Sequence, residues 1–226
     1  MILADVRQLF LTVLLILGAL FPVVNPLGDA PIFLRMTPGC DEPTRNDLAK
    51  RIAFYSFFLL LGSMLVGSFV LRLFVISIPI VQVAGGAVVA ALAWKLLAAD
   101  SPKQSIAAPD AIHAKAVAMG QAFSPLTMPV TIDAGVISVA ITVGASHAHT
   151  VESLLIQVVA AVTGAMLIAL TILLTYRYAA RVGKRIGRTG MIVVVRLSAF
   201  IMLCIGASIF WNGAKALLAQ VGVRGA

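Results

Sequence analysis

The chain alternates long apolar runs with short polar ones, and the apolar runs have the length of a bilayer. Residues 52–71, 73–94 and 153–176 carry no charged side chain. Each run holds about 20 residues or more, enough to cross roughly 30 Å of hydrocarbon as a helix. A run over 197–214 is slightly shorter, but 191–195 extends it past Arg196. Two further runs, 9–34 and 116–144, are long enough and are interrupted by proline and polar residues. The pattern predicts an all-α polytopic membrane protein with six transmembrane helices.

The interruptions are the unusual part. Residues 22–31 place Pro22, Asn25, Pro26, Gly28, Asp29 and Pro31 inside the first apolar run. Proline removes a backbone donor and clashes with the preceding turn, so no helix passes here undisturbed. Within lipid, irregular backbone is tolerated only where protein or a watery cavity surrounds it. A broken first span is therefore expected. The fourth run carries a second interruption, with Ser124, Pro125, Thr127, Pro129, Thr131, Asp133 and Gly135.

The two breaks divide the chain into corresponding halves. Asn25-Pro26 with Pro31 is echoed by Ser124-Pro125 with Pro129, and Trp94-Lys95 near the end of the third run by Trp211 and Lys215 near the end of the sixth. Three spans per half is an odd number, so the second half must enter the membrane from the opposite side. This predicts two inverted three-helix repeats, 1–99 and 116–226, joined by a polar linker over 100–115. Paired proline-broken helices in such repeats point to a substrate site near the midplane of a transporter. Other boundaries follow from local signals. Thr44-x-x-Asp47 resembles a capping box opening the second span, and Pro79 suits the first turn of the third. Gly85-Gly86 is expected to allow close helix packing.

Composition agrees with membrane insertion. Hydrophobic residues make up 61% and charged residues 12%, against about 25% charged in soluble domains. The formal charge of +8 does not indicate nucleic acid, because the basic residues follow the topology. Of 17 Lys and Arg, all but Arg7, Arg72, Lys215 and Arg224 fall in alternate loops or at their helix ends. The positive-inside rule then places both termini outside the cytoplasm. Arg7 before an apolar run resembles a signal peptide, but no small-x-small cleavage site follows, and an uncleaved first span is expected. The acid-free stretch from Arg177 to Arg188 is expected to face anionic headgroups. Its Gly183-Lys184-Arg185-Ile186-Gly187 lacks the ending of a phosphate loop. His147 and His149 form an H-x-H pair better read as a solvated loop than as a metal site, and Cys40 and Cys204 are not expected to pair.

The chain resembles the MarC family of bacterial inner-membrane proteins, also described as neutral amino acid transporters and grouped with LysE-type exporters. The resemblance rests on Asn25-Pro26-Leu27-Gly28 with Pro31-Ile32-Phe33, and on Ile78-Pro79 with Ala84-Gly85-Gly86. It continues through Pro125-Leu126-Thr127-Met128-Pro129, Gly135-Val136-Ile137, Gly187, Gly190, Arg196 and Asn212-Gly213. It implies six helices in two inverted halves, the inner membrane as location, and transport of a small solute, with amino acid export one form. Asp133-Ala134-Gly135 departs from the Gly-Pro-Gly usual in the family, which is expected to weaken the second break and adds an acid at membrane depth.

Candidate chemistry concentrates at the breaks. Nothing supports an enzyme, since no histidine falls in a predicted span and no nucleophile–base pair or metal cluster is present; Asp29 and Asp133 as an aspartyl protease pair is the remotest reading. No cofactor is expected. Charged groups within a span are costly and are functional candidates by default. Asp29 could bind a substrate ammonium or carry a proton, or it could cap the second half-helix. Asp133 could serve likewise, or pair with Arg196 or free amides; Arg196 itself is expected to snorkel to the interface. Asn25, Ser124, Thr127 and Thr131 add neutral donors and acceptors. The expectation is that Asn25, Asp29, Ser124, Thr127 and Asp133 converge on one cavity. Lipids and a small-molecule substrate, with proton coupling and homo-oligomers as open options, are the expected partners. A channel or a non-transporting scaffold remain the alternatives; a scaffold leaves the two broken helices unexplained.

Overall fold

The computed structural model describes residues 2–98, 116–117, 119–145 and 151–224. The linker over 100–115 and the His147–His149 loop lie outside the described residues. Every regular element described is helical, and five helices are long and apolar enough to cross a membrane. A bent pair makes the sixth crossing if it is one span.

The first span is two helices, α1 (Ile2–Val24) and α2 (Pro26–Met36). The break between them is a single residue. Pro26 occupies the first turn of α2 and disfavours the right-handed helical region for the residue before it. Asn25 instead adopts a left-handed conformation, φ 47° and ψ 53°, which short amides tolerate better than most side chains.

A loop containing Gly39 at φ 72° leads into α3 (Glu42–Leu73). The helix starts earlier than the Thr44-x-x-Asp47 pattern suggested. Asp41 is the cap, its Oδ1 accepting the Thr44 amide at 3.1 Å, while Asp47 bonds Lys50 instead. The buried face of α3 runs through Leu48, Ile52, Ser56, Leu60 and Met64, one turn apart. Phe54, Phe58 and Phe69 point outward. Both faces are apolar, as expected of a helix between protein and lipid, and these phenylalanines fall on the outward one.

After a turn at Val75, α4 (Ile78–Ala98) returns across the bundle. Of its paired glycines, Gly86 packs against a later helix at Phe210 and Gly206, while Gly85 packs against Ser138. The chain from Val151 to Arg224 is helical on both sides of Gly187, where φ 72° and ψ 178° reverse it. This separates α6 (Leu154–Gly187) from α7 (Thr189–Gln220). Pro79 and Val83 meet Gly213, Gly86 meets Phe210, and Ala90 meets Gly206, so α4 and α7 run antiparallel. A Cβ added at Gly206 would stand 2.6 Å from the Ala90 nitrogen, and one at Gly213 2.7 Å from the Pro79 oxygen. Only hydrogen fits there. The first span runs parallel to α6, with Ile16 against Gly164, Phe33 against Tyr176 and Leu34 against Gly183.

The second interruption is larger than the first. Ala122–Thr131 is wound but not α-helical, and it meets α5 (Ala134–Ala145) at 68°. Ser124 and Met128 are extended because each precedes a proline, and both prolyl bonds are cis. The departure at Asp133-Ala134-Gly135 does not weaken the break as expected. Asp133 accepts the Val136 amide at 2.8 Å and opens α5, so the acid itself supplies the start of the helix after the break.

Candidate functional site

At the first break, hydrogen bonding decides between the roles open to Asn25 and Asp29. Asn25 Oδ1 accepts the Gly28 amide at 3.3 Å, so Asn25 is the cap of α2. The capping role expected as an alternative for Asp29 therefore falls to Asn25. The Asn25 Nδ2 is buried without a hydrogen-bond partner, a state that costs about 1–3 kcal/mol. Pro26 sits in the first turn, and Pro31, also buried, denies the Leu27 carbonyl its usual donor. Gly28 is required by space: a Cβ there would lie 2.8 Å from Ser198 Cβ on α7.

At the second break, two threonine hydroxyls bond backbone carbonyls of the wound segment. Thr127 Oγ1 donates to the Ala122 carbonyl at 2.7 Å and Thr131 Oγ1 to the Leu126 carbonyl at 2.8 Å. Hydroxyls commonly satisfy backbone freed by proline in membranes. A threonine hydroxyl has one hydrogen, already committed to Leu126. The Tyr176 hydroxyl, 2.8 Å from Thr131 Oγ1, is therefore the donor in that pair.

The two breaks approach each other inside the bundle. Asp29 is 7% exposed and Asp133 5%, and each lies within electrostatic reach of the other. Tyr176 is within similar reach of Asp29 and stacks on Phe33 at 4.6 Å between centroids. Thr127 and Thr131 are fully buried beside them in sequence. Among the described residues, neither carboxylate has a cation within ion-pair distance. Arg196 is exposed, so the pairing considered for Asp133 is not formed. Gly135 lies where α5 crosses α4, against Val89, and Ser138 of the same helix donates to the Val81 carbonyl at 2.8 Å.

Not every candidate joins this group. Ser124 and Pro129 are exposed at the outside of the wound segment, and Pro125 is half-buried. Asp29 and Asp133 therefore lie near each other, Thr131 is bonded to Tyr176, Thr127 is buried within the wound segment, and Ser124 stands apart on its exposed side. Tyr176 was missed by sequence reasoning, because a tyrosine near the basic end of an apolar helix reads as an interfacial aromatic. Its one signal is position: it is the last residue of the uncharged run, immediately before Arg177. No cluster of three or more metal-ligating side chains is found among the described residues.

The model of one family, described as "MarC family integral membrane protein", matches residues 10–218. The membrane protein YvbG of Bacillus subtilis is 30% identical over 200 residues, covering 88% of this chain and 92% of that protein. The inner membrane protein MarC of Escherichia coli and that of Shigella flexneri are each 28% identical over 216 residues, covering 91% of this chain and 95% of theirs. No solved structure matches the chain.

Proposed function

The chain belongs to the MarC family of integral membrane proteins, and from that premise we propose that it is a multi-pass inner-membrane transporter of small solutes, with neutral amino acids the first class to test. The observation that carries the reading is the pair of buried carboxylates, Asp29 and Asp133, drawn from the two broken spans. An acid at membrane depth costs about 2.5–3.5 kcal/mol on insertion scales. Two such groups near one another, without a cation beside either among the described residues, are a poor way to stabilise a bundle. They are a good way to receive a substrate ammonium or a proton.

The neutral partners suit the rest of a zwitterion. The unpaired Asn25 Nδ2 offers a donor at the start of α2. The amino-terminal ends of α2 and α5 also favour negative charge. The antiparallel packing of α4 against α7 supports two inverted halves, and the distribution of basic residues supports both termini outside the cytoplasm. In this reading the halves rock about the shared site, and Asp29 carries the coupling proton.

The test is flux of labelled alanine, glycine, serine and threonine in proteoliposomes, with and without an imposed proton gradient. Saturable flux that is lost in Asn25→Ala is expected. Absence of flux for all four, in protein shown to be folded, would overturn the amino acid assignment.

A further inference from the structure

Toward the basic end of the bundle, two aromatic rings stack between α2 and α6. On α2, Asp29, Phe33 and Thr37 follow at one-turn spacing, so they share a face that leads from the carboxylate toward the basic loops. On α6, running in the same direction, Tyr176 is followed by Arg177 and Arg181. Phe33 and Tyr176 meet between these levels, nearly parallel at 12°, with 0% and 1% exposure. Beyond them the end is tied across three helices. Arg45 donates to the Thr37 carbonyl at 3.0 Å, and Arg181 lies 3.6 Å from Glu42.

We propose that the Phe33–Tyr176 stack is the barrier separating the Asp29–Asp133 site from the cytoplasmic face, and that Tyr176 links this barrier to the second break through Thr131. The proposal rests on the transport reading. A solute leaving toward the basic end must displace the Tyr176 ring. Because the Tyr176 hydroxyl donates to Thr131, any movement of the wound segment Ala122–Thr131 is felt by the ring directly. Substrate binding at the second break is thereby coupled to opening at the first. The Arg181–Glu42 pair is exposed and can re-form freely once the ring has moved, whereas the Arg45–Thr37 bond is part-buried and holds the end of α2 to α3.

The test uses a thiol reporter at the site itself. In full-length protein with Cys40→Ser and Cys204→Ala, Asp29→Cys is exposed to a charged, membrane-impermeant thiol reagent in inside-out vesicles. Slow modification is expected, and Phe33→Ala or Tyr176→Ala should each accelerate it about tenfold by removing an aromatic pair that holds the closed state. Tyr176→Phe, which keeps the stack, and Leu60→Ala, a buried truncation on α3 away from the rings, should leave it slow. Equal rates in all variants would overturn the barrier, and so would acceleration by Leu60→Ala as large as by Phe33→Ala. The readout does not depend on flux, so a closed barrier in a protein that moves no amino acid separates failure of the transport reading from failure of this one.

Discussion

Asp133 Oδ1 accepts the Val136 amide at 2.8 Å, which makes one residue both the cap of α5 and half of a buried acid pair. The two roles respond differently to substitution. Asparagine caps a helix about as well as aspartate, whereas alanine loses about 0.5–2 kcal/mol. Asp133→Asn should therefore unfold in detergent at the temperature of the unaltered protein, and Asp133→Ala several degrees lower. If charge matters to transport, flux falls in both.

Asp29 offers the cleaner separation of fold from function. No donor among the described residues reaches its carboxylate, and the cap of α2 is Asn25. Asp29→Asn should express and unfold as the unaltered protein does, since removing an uncompensated buried charge costs nothing in packing. Its flux should lose all response to a proton gradient. Comparing flux at two internal pH values in proteoliposomes checks this.

The contact between α4 and α7 should tolerate no side chain. Gly206 faces the backbone of Ala90, and Gly86 faces that of Phe210, and neither neighbour is a flexible side chain that can swing aside. Gly206→Val should lower stability by about 1–3 kcal/mol or more, the range for overpacking. Gly62, which meets nothing within 4 Å, is the internal control. Gly62→Ala should be neutral or slightly stabilising in the same thermal assay.

The reversal between α6 and α7 makes a separate demand. Gly187 has φ 72° and ψ 178°, a region open almost only to glycine, where another residue costs about 1–3 kcal/mol. Space is not the problem there, since nothing lies within 4 Å of an added Cβ. Gly187→Ala should therefore destabilise through the backbone alone, and Gly187→Val no more than slightly further. A large gap between the two variants in thermal unfolding would contradict this.

The helices were readable from sequence because lipid leaves so few options. Uncharged runs of bilayer length can only be helical crossings or a closed barrel, and α3, α4, α6 and α7 follow them closely. The break at Asn25 was readable because Pro26 forbids its ordinary conformation. The second break was placed correctly and misjudged in kind. Its prolines announced an interruption, but the threonine hydroxyls that bond backbone carbonyls within those ten residues depend on geometry that spacing does not encode. The same limit hid the start of α3. Two overlapping capping patterns, at Asp41 and Thr44, compete on equal local terms, and tertiary packing chooses the earlier. Tyr176 was out of reach for a plainer reason. Its partners Phe33 and Thr131 are distant in sequence and come together only when α6 packs against α2 and the wound segment.

The glycine seam between α4 and α7 also says something about how the chain is made. The two faces that touch there, near Ala90 and Gly206, are separated by most of the second half of the sequence. At roughly 5–20 residues per second of synthesis, α4 waits on the order of ten seconds in the bilayer before its partner exists. During that interval its small-residue stripe is covered only by lipid or by other proteins. The seam therefore closes only when α7 has been made. A chain released just after Gly187 would hold both acids, the stacked rings and the α4–α5 contact, yet leave the Gly86–Ala90 face of α4 without its partner.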